Sequence, residues 1–197
     1  KIGYMFGDFG NDFTFMFSST FLMVFYMKVL GISAGAVGTL FLVARFVDAF
    51  TDVTMGRIVD TCKPGRDGTF KRWIRIMAGP VALASFLMYQ SALADASMTV
   101  KMIYMYATYI LWGSICYTGI NIPYGSMASA ITDVPEERTA LSTFRSIGAT
   151  LAQLIIGVGG PMIIYVTDAN GVQVIRNDGK IFPVVAGIFS ICAIICY

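Results

Sequence analysis

Six stretches of mostly apolar residues, joined by short polar links, limit what this chain can fold into. A helix needs about 20 such residues to cross the hydrocarbon core of a bilayer. The stretches run from about Gly3 to Val29, Ala36 to Val59, Ile74 to Leu93, Val100 to Met127, Leu141 to Val166, and Ile181 to Tyr197. Of the 197 residues, 56% are hydrophobic and 13% charged, against about 45–50% and 25% in soluble domains. The expected fold is therefore all-α, a polytopic membrane protein. A soluble core of this size, a disordered chain, a coiled coil and a basic nucleic-acid module are excluded.

The links carry turn chemistry. Gly31-Ile32-Ser33-Ala34-Gly35, Lys63-Pro64-Gly65-Arg66-Asp67-Gly68 and Asp133-Val134-Pro135-Glu136-Glu137-Arg138 read as helix breaks. Asp168-Ala169-Asn170-Gly171 and Arg176-Asn177-Asp178-Gly179 bracket a longer loop with room for a short hairpin. Lys1, Arg57, Lys63, Arg66, Lys71, Arg72, Arg75, Arg138 and Arg145 collect on one side, and Lys28, Lys101, Arg176 and Lys180 on the other. This bias places both termini in the cytoplasm, with the plasma membrane as the expected location. Gly3, Gly7 and Gly10 in the first helix, and Gly148, Ala152 and Gly157 in the fifth, are spaced for close helix packing.

The chain has no histidine and a net charge of +2. Histidine catalysis, histidine metal sites and a polyanionic partner such as nucleic acid drop out. Cys62, Cys116, Cys192 and Cys196 form no CxxC pair. With no Gly-x-Ser-x-Gly elbow, only carboxylates could serve a membrane enzyme, and none is expected.

Ionisable groups inside apolar helices are expensive and mark interiors or water-filled cavities. Arg45, Asp48 and Asp52 share one face of the second helix, with Thr51 beside it. Two carboxylates one turn apart make a hard-oxygen site suited to Na⁺, Li⁺ or a proton. The bland alternative is an Arg45–Asp48 pair that only holds helices together. Asp8, Asn11 and Asp12 share a face of the first helix, ahead of Phe15 and Ser18. Acceptors beside aromatic rings suit hydroxyl-rich ligands, while Asp8 alone also fits a solvated helix end. The fourth helix closes with Tyr117, Thr118, Asn121 and Pro123, and the proline is expected to kink it. Arg145 either reaches into a cavity or snorkels to the interface.

These residues carry a resemblance. Leu42 to Asp52 followed by Met55-Gly56 and Asp60, Gly7 to Asp12, Gly68 to Ile74, and Leu111 to Tyr124 resemble four blocks of the glycoside–pentoside–hexuronide:cation symporters. That melibiose-permease-like group lies within the major facilitator superfamily. The resemblance implies a twelve-helix transporter of two six-helix halves. This chain would be the N-terminal half, cut in its sixth helix, with the C-terminal half and membrane lipid as partners. The substrate would be a sugar or glycoside, with Na⁺ or H⁺ as coupling ion and no other cofactor. The cation would fall on Asp48, Asp52, Thr51 and Thr118. Sugar contacts would fall on Asp8, Asn11, Asp12, Tyr117, Asn121 and Arg145. Gly56, Asp60, Arg66, Lys71 and Arg72 would form the cytoplasmic gating loop, or merely fix topology. Thr51, Val53, Asn121 and Gly125 depart from the family pattern, so neither the sugar nor the choice between Na⁺ and H⁺ is named. The competing reading is a membrane sugar-binding receptor or scaffold without cation-coupled transport.

Overall fold

The computed structural model describes residues 1–62 and 69–197. Its described residues build six helical rods. The first is α1 (Ile2–Val24), prolonged by a π-helical turn over Phe25–Val29. The second is α2 (Ala34–Thr61), opened by the Ser33 hydroxyl accepting from the Ala36 amide. The third is α3 (Thr69–Leu87), followed by a 3₁₀ turn at Ser91–Leu93. The fourth joins α4 (Met98–Ile110), a π-helical segment (Leu111–Tyr117) and α5 (Thr118–Ile131). The fifth joins α6 (Pro135–Leu154), a π turn (Ile155–Gly159) and α7 (Gly160–Ile164). The sixth is α8 (Ile181–Cys196). Between α7 and α8 lies a small antiparallel hairpin, β1 (Tyr165–Thr167) and β2 (Gln173–Ile175), with Val166 opposite Val174. The Asp168 carboxylate closes its turn by accepting from the Asn170 and Val172 amides at 2.8 and 2.9 Å.

Rod direction can be read from the contacts. Tyr4, Asn11 and Phe15 of α1 meet Tyr124, Asn121 and Tyr117 in descending order, so the first and fourth rods are antiparallel. Asp8 and Gly160's neighbour Phe21 meet the fifth rod in ascending order, so those rods are parallel. Phe13 and Phe25 meet Phe189 and Phe182 of α8, again antiparallel. The rods therefore alternate, and Lys1, Arg57, Lys71, Arg72, Arg75 and Arg138 come to one end. At that end Arg138 donates to the Thr132 carbonyl at 2.8 Å and pairs with Asp133 at 3.1 Å, capping α5. At the other end Lys101 donates to the Leu30 carbonyl at 2.9 Å and caps the first rod.

The first rod is central, packed between α6 and α8. Phe13, Phe17, Phe21 and Phe25 follow one another at helical spacing and interlock with Tyr89, Phe182 and Phe189. Three helical stretches, Ala34–Thr61, Phe70–Leu93 and Pro135–Ile164, are long and apolar enough to cross a membrane. Leu42, Phe46, Phe50 and Val53 of α2 are exposed, as expected of a helix facing lipid or further protein.

Several sequence expectations change. The segment Asp133–Arg138 is not wholly a break, because α6 already begins at Pro135. Proline is suited to a first helical position, and Glu136 and Glu137 complement the dipole there. The third helix starts at Thr69 rather than Ile74 and stops at Leu87. Pro123 lies inside α5, which continues through it, and a π segment stands just upstream. Gly7, Gly10, Gly148 and Ala152 are packed as expected, but Gly3 and Gly157 have nothing within 4 Å.

Candidate functional site

Two acid–hydroxyl pairs link the second and fourth rods. The Ser114 hydroxyl donates to Asp48 Oδ1 at 2.5 Å, and the Thr118 hydroxyl donates to Asp52 Oδ1 at 2.9 Å. Both pairs have the same sequence separation of 66. Two bonds with one separation mean the helices run the same way and in register. Asp48 and Asp52 are one α turn apart, and so are the two hydroxyls, but Ser114 sits within the π segment, whose wider turn brings residues i and i+4 closer to line. Thr118 also donates to the Gly113 carbonyl at 3.3 Å. Sequence reading missed Ser114. The signal was there, as a hydroxyl four residues before Thr118 that mirrors the acid four residues before Asp52.

Arg45 and Thr51 relate to this pair differently. Arg45 approaches Asp48 Oδ2 at 3.6 Å from an exposed position, with 72% of its side chain accessible against 23% for Asp48. The Thr51 hydroxyl turns back along its own helix, donating to the Val47 and Asp48 carbonyls at 3.2 Å each. It is not directed at either carboxylate.

A second polar cluster gathers four rods. Arg145 Nε donates to Asp8 Oδ1 at 2.9 Å, its Nη2 donates to Asn121 Oδ1 at 3.4 Å, and its guanidinium lies 5.3 Å from the centre of the Tyr124 ring. Asn11 donates to the same Asn121 oxygen at 3.1 Å and accepts from the Tyr197 hydroxyl at 2.7 Å. Tyr4 and Tyr124 stack at 4.7 Å and each hydroxyl donates to the other's carbonyl. Asp8 is thus a buried ion-pair partner, not a solvated helix end, and Arg145 turns inward instead of snorkelling. Asn121 and Arg145 meet because α5 packs on α6, while α5 reaches α1 through the side chains of Tyr124 and Asn121. Tyr4, Tyr124 and Tyr197 were missed as members of this cluster, since an aromatic in an apolar run gives no sign of which way its hydroxyl points.

Asp12 is 7% exposed and makes no hydrogen bond or ion pair with a described group. Tyr117 stacks on Phe15 at 5.2 Å. An acceptor with free lone pairs beside aromatic faces is the arrangement that receives a hydroxyl-bearing ring. A cleft of about 670 Å³ opens at the basic end and is bordered by Tyr4, Tyr124, Tyr197 and Lys71.

The loop residues do not assemble among the described residues. Gly56 is half-buried in α2, and Asp60, Lys71 and Arg72 are exposed. Asp60 makes no ion pair with a described side chain, and Arg66 lies outside the described residues. Chemically, the two acid–hydroxyl pairs supply hard oxygens and negative charge, and the second cluster supplies donors and acceptors held by an ion pair.

Residues 3–197 match the family described as MFS/sugar transport protein. The chain is 37% identical over its full length to the uncharacterized symporter YjmB of Bacillus subtilis. It is 40% identical over 76% of its length to the glucuronide carrier protein homolog of Escherichia coli. It is 37% identical over 84% of its length to the isoprimeverose transporter of Lactiplantibacillus pentosus. The chain spans 42%, 32% and 34% of these relatives, respectively. The chain belongs to the MFS/sugar transport protein family, a family of polytopic helical membrane proteins, and within it to the glycoside–pentoside–hexuronide symporter group.

Proposed function

We propose that this chain forms the N-terminal six-helix half of a twelve-helix secondary transporter in the plasma membrane, with its N-terminus cytoplasmic. The whole protein moves a sugar or glycoside together with Na⁺ or H⁺. The observation that carries this reading is the in-register pairing of Asp48 with Ser114 and Asp52 with Thr118 on two rods. Charge at such a place costs at least about 2.5–3.5 kcal/mol on insertion scales, and a packing role needs neither acid. Cation or proton binding neutralises the pair, and that change biases the equilibrium between outward- and inward-facing states. Asp12, Asn11, Asn121, Tyr117 and Arg145 contribute the sugar contacts of this half, and Asp8 holds Arg145. Asp60, Lys71 and Arg72 act in gating at the basic end. The residues are read as those of a carrier rather than an enzyme.

The test uses the full-length protein in membrane vesicles. Labelled glycosides, starting with a glucuronide and isoprimeverose because relatives carry those names, are offered with and without Na⁺ and H⁺ gradients. Wild type accumulates one of them under a cation gradient, and Asp52→Cys loses at least about tenfold of that stimulation. Intact cation-stimulated uptake in Asp52→Cys would overturn the coupling assignment. Binding without translocation or cation dependence would favour a receptor.

A further inference from the structure

We propose that Ser114, rather than Thr51, is the hydroxyl that sets which monovalent cation the Asp48–Asp52 pair accepts. The inference rests on the cation-coupled reading above and deepens it. Three observations support it. Ser114 is 1% exposed, so the donor side of its bond to Asp48 is shielded from water, while the Asp48 side chain stays 23% accessible to an incoming cation. The Thr51 hydroxyl has its proton committed to its own helix. Ser114 lies in a π segment, an uncommon geometry that recurs at working sites.

The chemistry follows from the contact. A hydroxyl carries one proton and two lone pairs. At 2.5 Å, the Ser114 hydroxyl donates its proton to Asp48 Oδ1 and fills one of that oxygen's acceptor positions. A cation that binds this carboxylate oxygen shares it with the hydrogen bond or displaces that bond, and the lone pairs of Ser114, which the bond leaves unused, are then open to the cation. The strength of one charge-assisted hydrogen bond is therefore set against the affinity of the cation. A proton and metal ions of different size meet that competition differently, which makes Ser114 a determinant of preference. Among the described residues, the polar and ionisable groups around Asp48 also include Asp52 one turn on, the Thr51 hydroxyl on the Asp48 carbonyl, Arg45 at 3.6 Å and Tyr109, on the neighbouring α4, within electrostatic range. None of these takes over the hydroxyl's role at the Asp48 carboxylate, since Asp52 only accepts when ionised, Arg45 only donates, the Thr51 proton goes to its own helix and Tyr109 makes no bond to Asp48.

The experiment compares full-length wild type, Ser114→Ala, Ser114→Thr and Thr51→Ala in vesicles. Uptake of the transported glycoside is titrated with Na⁺, Li⁺ and H⁺, and cation-free glycoside binding is measured in parallel to report folded protein. Ser114→Ala shifts the half-saturating concentration of the driving cation about tenfold or reorders the three cations. Ser114→Thr keeps the wild-type order, Thr51→Ala stays within about twofold, and cation-free binding stays within about twofold in all four. A purely structural serine would lower maximal uptake without touching preference. Wild-type titrations in Ser114→Ala, or a larger shift in Thr51→Ala, overturn the inference and leave cation coupling standing. A wild type indifferent to all three cations overturns both.

Discussion

Gly148→Ala should separate two rods that only a glycine lets meet. A Cβ built at Gly148 would lie 2.6 Å from the Met5 carbonyl oxygen and 3.3 Å from the Phe9 amide nitrogen, whereas ordinary contact begins at 3.4 Å. From 2.6 Å to 3.4 Å, α1 and α6 must part by about 0.8 Å locally. The obstacle is backbone, so no rotamer change relieves it. Overpacking of this kind costs about 1–3 kcal/mol. Alanine also raises helix propensity by about 0.8–1.0 kcal/mol over glycine. Gly157→Ala isolates that gain, because nothing lies within 4 Å of its site. Thermal unfolding in detergent, followed by fluorescence-detected size exclusion, should show Gly148→Ala melting several degrees below Gly157→Ala. The scale is about 2–4 °C per kcal/mol for a chain of this size. Equal melting temperatures, or a more stable Gly148→Ala, would refute the close approach.

Two further outcomes follow. In a double-mutant cycle of Asp8→Asn and Arg145→Gln, unfolding should show a coupling of about 1–2 kcal/mol. That is less than a fully buried pair because 36% of the Arg145 side chain is accessible; additive effects would show that the pair is not formed. Lys101→Met removes the cation that caps the Leu30 carbonyl, at a cost of about 1 kcal/mol. Hydrogen exchange of the amides around residues 29–33 should then accelerate about fivefold, and unchanged protection would contradict the cap.

The positions of the rods were legible because apolar runs of bilayer length leave a chain few choices, and because glycine and the capping Ser33 mark turns. Rod ends were less so. Pro135 reads as a break or a helix start equally well, and only Val134's extended backbone, which ends the loop, decides between them. The acids of α2 were visible as charges in a hydrophobic helix, and their spacing foretold a shared face. Of their partners, Thr118 came from the family resemblance and Ser114 was not seen, because serine is common in membrane helices and carries no charge to draw attention. The Arg145–Asp8 pair joins residues 137 positions apart, a juxtaposition set by the parallel packing of the first and fifth rods rather than by any local pattern. Likewise Gly3 and Gly157 share the spacing of packed glycines yet face no neighbour, since spacing fixes a helix face and not what lies opposite it.

The equal separation of the two acid–hydroxyl pairs makes the contact between the second and fourth rods behave as a vernier. In the present setting both marks coincide. Slide one rod by four residues, about 6 Å at 1.5 Å per residue, and Asp48 comes opposite Thr118 while Ser114 and Asp52 are left alone. Slide it the other way and Asp52 meets Ser114, with Asp48 and Thr118 unmatched. Intermediate positions match nothing. Axial motion between these rods is consequently stepped, with one two-bond setting flanked by two one-bond settings, and charge on the acids decides how deep each step is.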